Sequence, residues 1–143
     1  MKFTLLIDPD REEEIVVYAH KRTSLIGRIE ELAAEDGHEL IGYGEDEIVR
    51  LAPTEVVCFL VEDGHVCALT ERARYRLKMR LYQLENIYSA DFLKINQSCL
   101  VNVEKIKRFD SSIGASLMVT LEGGYRDYVS RRQLRAVKER MGI

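Results

Sequence analysis

Phe92-Leu93-Lys94-Ile95-Asn96-Gln97-Ser98-Cys99-Leu100-Val101-Asn102-Val103-Glu104-Lys105-Ile106 interleaves short polar side chains with residues that belong in a core. Leu93, Ile95, Leu100, Val101, Val103 and Ile106 are apolar anchors, so the segment is predicted to sit on a rigid base. Lys94, Asn96, Gln97, Ser98 and Asn102 then offer donors and acceptors of the kind that contact phosphates and base edges.

The flanking sequence reads mainly as short strands. Glu39 to Tyr43, Glu47 to Leu51, Val56 to Val61 and His65 to Thr70 are separated by Gly, Asp and Pro, and Asp63-Gly64 is a strong two-residue hairpin signal. Arg72, Arg74, Arg76, Lys78 and Arg80 then alternate with Ala73, Tyr75, Leu77, Met79 and Leu81, which predicts a strand with one wholly cationic face. Leu81 to Ile87 reads as a short helix. Strands follow near Ile106 to Phe109, Ser116 to Leu121 and Tyr125 to Val129, with Gly123-Gly124 as a hairpin turn, and Arg131 to Met141 reads as a closing helix. Upstream, Lys2 to Ile7 and Ile15 to Ala19 read as two strands. From Ser24, a plausible N-cap, the spacing of Leu25, Ile26, Ile29, Leu32 and Ala33 predicts an amphipathic helix stopped by Gly37.

A chain of 143 residues holds one ordinary domain and a small appendage without needing cross-links. Cys58, Cys67 and Cys99 are odd in number and lie in apolar surroundings. They read as buried structural thiols rather than a redox switch. If Asp63-Gly64 forms the turn, Cys58 faces Leu69 and Cys67 faces Leu60, so the two thiols are not opposed. No secretory signal and no apolar stretch of spanning length is present, which predicts a cytoplasmic protein.

The net charge of −3 conceals two halves of opposite sign. Residues 1–50 hold six Lys/Arg against thirteen Asp/Glu, and residues 51–143 hold fifteen against eleven, giving −7 and +4. An acidic average therefore leaves room for a local patch that replaces counterions on a phosphate backbone. The cationic strand has a bland reading as a solvated or charge-protected edge, and a functional one as a contact for DNA, an acidic protein or an anionic lipid. Arg131 and Arg132 at a helix start oppose the helix dipole unless an anion is near, although capping alone explains Ser130. Enzymatic signals are weak: His20, His38 and His65 are scattered, and neither a Cys-x-x-Cys pair nor a Gly-rich phosphate loop exists.

The Phe92 stretch resembles the LytTR-type DNA-binding domain, which carries a Phe-x-Arg-Ile-x-x-Ser-x-x-Val-Asn core. The same family has a Val-Ser-Arg-Arg element before its last helix, matched by Val129, Ser130, Arg131 and Arg132. The resemblance implies an α+β fold: a mainly antiparallel β domain over residues 38–143 with short helices, preceded by a small α/β extension over 1–37 that packs on it or builds a dimer interface. It implies a non-enzymatic transcriptional regulator that binds double-stranded DNA sequence-specifically, as a homodimer on paired repeats, with no cofactor, metal or small-molecule substrate. Carried over by position, the DNA-contacting residues are His65, Lys94, Asn96, Gln97, Ser98, Arg131, Arg132 and Arg135, with Arg132 at the principal arginine position and Arg131 as the fallback. Asn96-Gln97 stands where the family often has His-Arg or His-Asn, and Lys94 replaces an arginine. Asn102 reads as a turn-stabilising residue. Stand-alone members without a receiver domain are similar to components of two-gene systems in which a membrane protein restrains the regulator. The alternative is an interaction module that takes an acidic protein or anionic lipid on the Arg72 to Arg80 face.

Overall fold

The computed structural model describes residues 1–35, 39–111 and 116–143, and the chain divides into two units, Met1–Gly37 and His38–Ile143. In the first unit, α1 (Ser24–Glu35) is as the apolar spacing predicts, but the capping oxygen is Thr23 Oγ1, which accepts from Ile26 N at 3.4 Å, and Ser24 is already helical. The expected stop at Gly37 lies outside the described residues. The two expected strands are not formed. Lys2 to Ile7 and Ile15 to Ala19 flank a turn in which Asp8 O accepts from Arg11 N (3.3 Å), and neither belongs to a ladder. A two-stranded pair with no third strand and no covering layer is marginal in water, so strand-like composition alone does not build a sheet. The described part of the extension is therefore one helix and irregular chain rather than α/β.

The second unit is built on a seven-stranded antiparallel sheet of β1 (Leu40–Tyr43), β2 (Ile48–Leu51), β3 (Val56–Glu62), β4 (His65–Thr70), β5 (Arg74–Leu77), β6 (Phe92–Asn96) and β7 (Cys99–Asn102). Their spatial order is β2-β1-β5-β4-β3-β7-β6. β3 is buried from Val56 to Leu60 because each face of the sheet is covered by a different layer. On one face α2 (Leu81–Ile87) lays Leu84 and Ile87 over Val56, Phe59 and Leu100, and the Phe59 and Phe92 rings lie 4.7 Å apart. On the other, Val57, Cys58, Leu60, Cys99 and Val101 meet a second sheet and α3 (Arg131–Met141). That sheet consists of β8 (Ile106–Ser111), β9 (Leu117–Leu121) and β10 (Arg126–Val129) in the order β10-β9-β8. A bulge between Val56 and Cys58 sends Val57 and Cys58 to the same side, which a strictly alternating strand could not do.

One sequence expectation is shortened. The cationic strand occupies only Arg74–Leu77: Thr70 Oγ1 accepts from Arg72 N (3.3 Å) and Ala73 N (3.2 Å), bending the chain before it. Beyond it, Arg80 begins α2, and its amide donates to Gln83 Oε1 at 2.9 Å. Asp63-Gly64 forms the hairpin turn with φ of 50° and 76°, setting Cys58 against Leu69 and Leu60 against Cys67 as the turn requires. Cys58 and Cys99 are buried, whereas Cys67 is half-exposed, in departure from the reading of three buried thiols. Asn102 stabilises its turn: Oδ1 accepts from Glu104 N at 3.1 Å, while Nδ2 reaches across to Val56 O at 2.9 Å.

Gly42 is the most tightly enclosed of the described glycines, since a Cβ there would stand 2.7 Å from Tyr75 Cβ and 2.8 Å from Leu51 Cδ1. Gly42→Ala is expected to destabilise the domain by about 1–3 kcal/mol through overpacking, read from urea unfolding with an unchanged m-value.

Candidate nucleic-acid interface

Three loops meet at one end of the second unit, joined by backbone and amide hydrogen bonds. The β6–β7 turn lies beside the end of β3, because Val61 N donates to Ser98 O at 2.9 Å. The same turn lies beside the β10–α3 junction, because Ser130 N donates to Ile95 O at 2.8 Å. Asn96 locks both: Nδ2 donates to Tyr128 O (2.9 Å) and Oδ1 accepts from Ser98 N (2.9 Å). The β3–β4 turn, the β6–β7 turn and the start of α3 therefore form one rigid tripod.

On this tripod His65, Gln97, Ser98, Arg131 and Arg132 are exposed. Ser130 holds the N-cap position with extended φ and ψ, but its hydroxyl makes no capping bond, and no acidic residue occupies the first turn of α3. Two cations beside unsatisfied helix amides make an electropositive corner suited to a phosphate or a guanine edge. The structure separates the other named residues from this group. Asn96 is only 3% exposed and both ends of its amide are engaged inside the protein, so it sits beneath the surface. Lys94 is half-buried, with Nζ 3.7 Å from Glu85 on α2. Arg135 is exposed one turn further along α3, 3.2 Å from Glu139.

Reading the strands separately missed one juxtaposition. Cys67 pairs with Arg76 across β4 and β5, so the cationic strand runs alongside the β3–β4 hairpin, and Arg76 Nη2 donates to the His65 ring. Arg74 pairs with Glu62, and its guanidinium pKa is raised, first by that hydrogen bond. Lys78 lies over the Tyr43 ring, 4.9 Å from its centroid. Glu62 and the Tyr43 ring thus engage two of the five cations within the domain. Tyr128, 54% exposed beside Asn96, was also missed; its outward side follows from Val129 facing inward.

Beneath the interface, between the sheets, lie Cys58, Cys99, Tyr125 and Asp127. The Cys99 thiol is held far above its ordinary pKa by its hydrogen bond with Cys58 and by burial. Burial likewise raises the Tyr125 phenol, which donates to Asp127 Oδ2 at 3.2 Å. Both groups are neutral when protonated, so the cluster behaves as packed core rather than as a source of nucleophile. No group of three His, Cys, Asp or Glu side chains among the described residues is placed to hold a metal.

The sequence model of the LytTr DNA-binding domain family matches residues 46–142. Over the full chain, an "uncharacterized HTH-type transcriptional regulator" of Staphylococcus aureus strain NCTC 8325 is 30% identical across 148 aligned positions, covering 99% of that protein. The counterpart from strain MRSA252 matches to the same degree. Among solved structures, the LytTr DNA-binding domain of a putative methyl-accepting/DNA response regulator from Bacillus cereus superposes with a TM-score of 0.69. That superposition covers 75% of this chain and all of the other at 19% identity, and so shares the fold.

Asn96→Ala is expected to cost about 1–3 kcal/mol by stranding Ser98 N and Tyr128 O. Hydrogen exchange at Ser98 and Ser130 should accelerate more than at β3; uniform acceleration would show that Asn96 does not hold the tripod. The raised Cys99 and Tyr125 values give a second expectation. Their stabilisation is full below the ordinary thiol and phenol values of 9.0 and 10.0 and is lost as pH climbs through the folded values. Urea midpoints should therefore be flat near neutrality and fall in the alkaline range.

Proposed function

Since the chain belongs to the LytTR DNA-binding domain family, and so is a DNA-binding transcriptional regulator, we propose that it reads duplex DNA sequence-specifically through the three-loop tripod. The observation that carries this reading is the bonded convergence of Gln97, Ser98, Arg131, Arg132 and His65 on one edge. The relatives are named for a helix-turn-helix; in this chain α2 and α3 are separated by five strands, so loops and one helix start are the reading elements. Gln97 presents an amide able to pair with adenine, and Arg132 a planar fork able to pair with guanine. Arg131, Arg76 and Arg135 supply phosphate contacts that hold register, and Asn96 positions the readers from below. Lys94 contributes to the field rather than to direct contact, given its Glu85 partner.

The site is read as a homodimer on paired repeats, each copy taking one repeat. The protein works in the cytoplasm without cofactor or small-molecule substrate; no described helix is long and apolar enough to cross a membrane. A membrane protein that restrains the regulator is the proposed source of control, and deleting it should change target transcription.

The alternative, an acidic protein or anionic lipid bound on the Arg72 to Arg80 face, is disfavoured by the internal partners of Arg74 and Lys78. Selection from a random duplex library, at two salt concentrations, separates the two. Arg132→Ala is expected to cost about 1–3 kcal/mol and relax preference at one position. Arg76→Gln should weaken all sequences alike and reduce the salt slope by about 1. If no sequence is enriched, yet binding to anionic vesicles is lost on Arg72→Gln with Arg76→Gln, the interaction module is the correct reading.

A further inference from the structure

From Phe3 to Tyr18 the first unit carries seven large apolar side chains that are each at least 59% exposed, among them Phe3 (88%), Leu6 (83%), Ile7 (86%) and Tyr18 (94%). Phe3, Leu5 and Ile7 alternate in sequence with Thr4 and Leu6, along a segment whose amides and carbonyls enter no ladder. Such a segment combines an open hydrogen-bonding edge with an apolar face, the two features through which strands are added between chains. We infer that Lys2–Asp8 pairs antiparallel with the same segment of a second copy, about a two-fold axis through Leu5, and that this strand pairing makes the dimer. The inference rests on the regulator reading for the dimer's purpose alone.

Charge selects both the partner and the direction. With the axis at Leu5, Lys2 of each copy opposes Asp8 of the other, Phe3 opposes Ile7, and Thr4 opposes Leu6. Parallel, in-register pairing would instead stack Asp8, Asp10 and Glu12 to Glu14 on their own duplicates, which like-charge repulsion disfavours. A second copy supplies the complementary charges by symmetry, so no other protein is needed. Phe3, Leu5, Leu6 and Ile7, each at least 69% exposed, supply the apolar surface of the strand pair itself. Ile15 to Tyr18 and the apolar side of α1 belong to the same unit and are available to cover the new strand pair.

The test uses the full chain. Sedimentation should show a dimer, and Leu5→Lys should convert it to a monomer while leaving thermal unfolding of the second unit and affinity for a single repeat unchanged. Affinity for the paired site should fall by about 100-fold, the loss of a second tethered contact. Leu5→Cys should form a symmetric intermolecular disulfide under mild oxidation with oxidised glutathione, because residues on the axis face each other. Phe3→Cys, which would face Ile7, should cross-link far more slowly. The exchanged pair Lys2→Asp with Asp8→Lys should dimerise, and either change alone should dimerise more weakly. A monomeric wild-type chain, a dimer indifferent to Leu5→Lys, or equal cross-linking of both cysteine variants overturns the inference. If the library selection enriches nothing while these results hold, the DNA reading falls and the strand-paired dimer stands.

Discussion

The carboxamide of Asn96 is the interaction on which the geometry of the three-loop edge depends. Its two bonds tie the β6–β7 turn to the last residues of β10, and so fix where α3 begins relative to Gln97. A side chain with both a donor and an acceptor is required: an alanine would leave two backbone groups without partners, and an aspartate would bring a carboxylate against the Tyr128 carbonyl. Satisfied and almost fully buried, the amide confers rigidity on exposed neighbours that have little packing of their own. A register shift between Lys94 and Asn96 in the β6–β7 pair lies immediately beside it.

Rigidity beneath and exposure above divide the labour of the site. β3 is enclosed by two unlike layers, with aromatic rings and α2 on one side and a small sheet and α3 on the other, so its end is a fixed point for both turns. Loops anchored so closely lose little freedom when they meet a ligand. The cationic strand adds charge along the flank while spending part of it internally, on Glu62 and Tyr43. At the start of α3, Arg131 and Arg132 have no carboxylate within ion-pair distance among the described residues.

Much of this was legible in the sequence because local physics decides it. The Asp63-Gly64 turn, the extent of β4, α2 and α3, and the relation of Cys58 to Leu69 all follow from turn chemistry and periodicity. What was not legible is non-local. Asn96 reads as an available polar side chain until its partner thirty-two positions away is known, and Arg76 reads as part of a separate strand until the hairpin brings His65 beside it. The N-terminal strands fail for a related reason. Composition favours an extended backbone there, but a ladder needs neighbours, and the described residues of that unit supply none.

The uncapped start of α3 places a cost in the free protein. The Ser130 hydroxyl accepts from none of the first amides, no carboxylate in the first turn offsets the dipole, and Arg131 and Arg132 add like charge. An anion seated there removes all three penalties at once, so the first turn of α3 is coupled by mass action to occupancy. Occupancy of that corner by an anion would therefore raise the stability of the whole unit, because the junction is tied through Ser130 and Tyr128 to the β6–β7 turn.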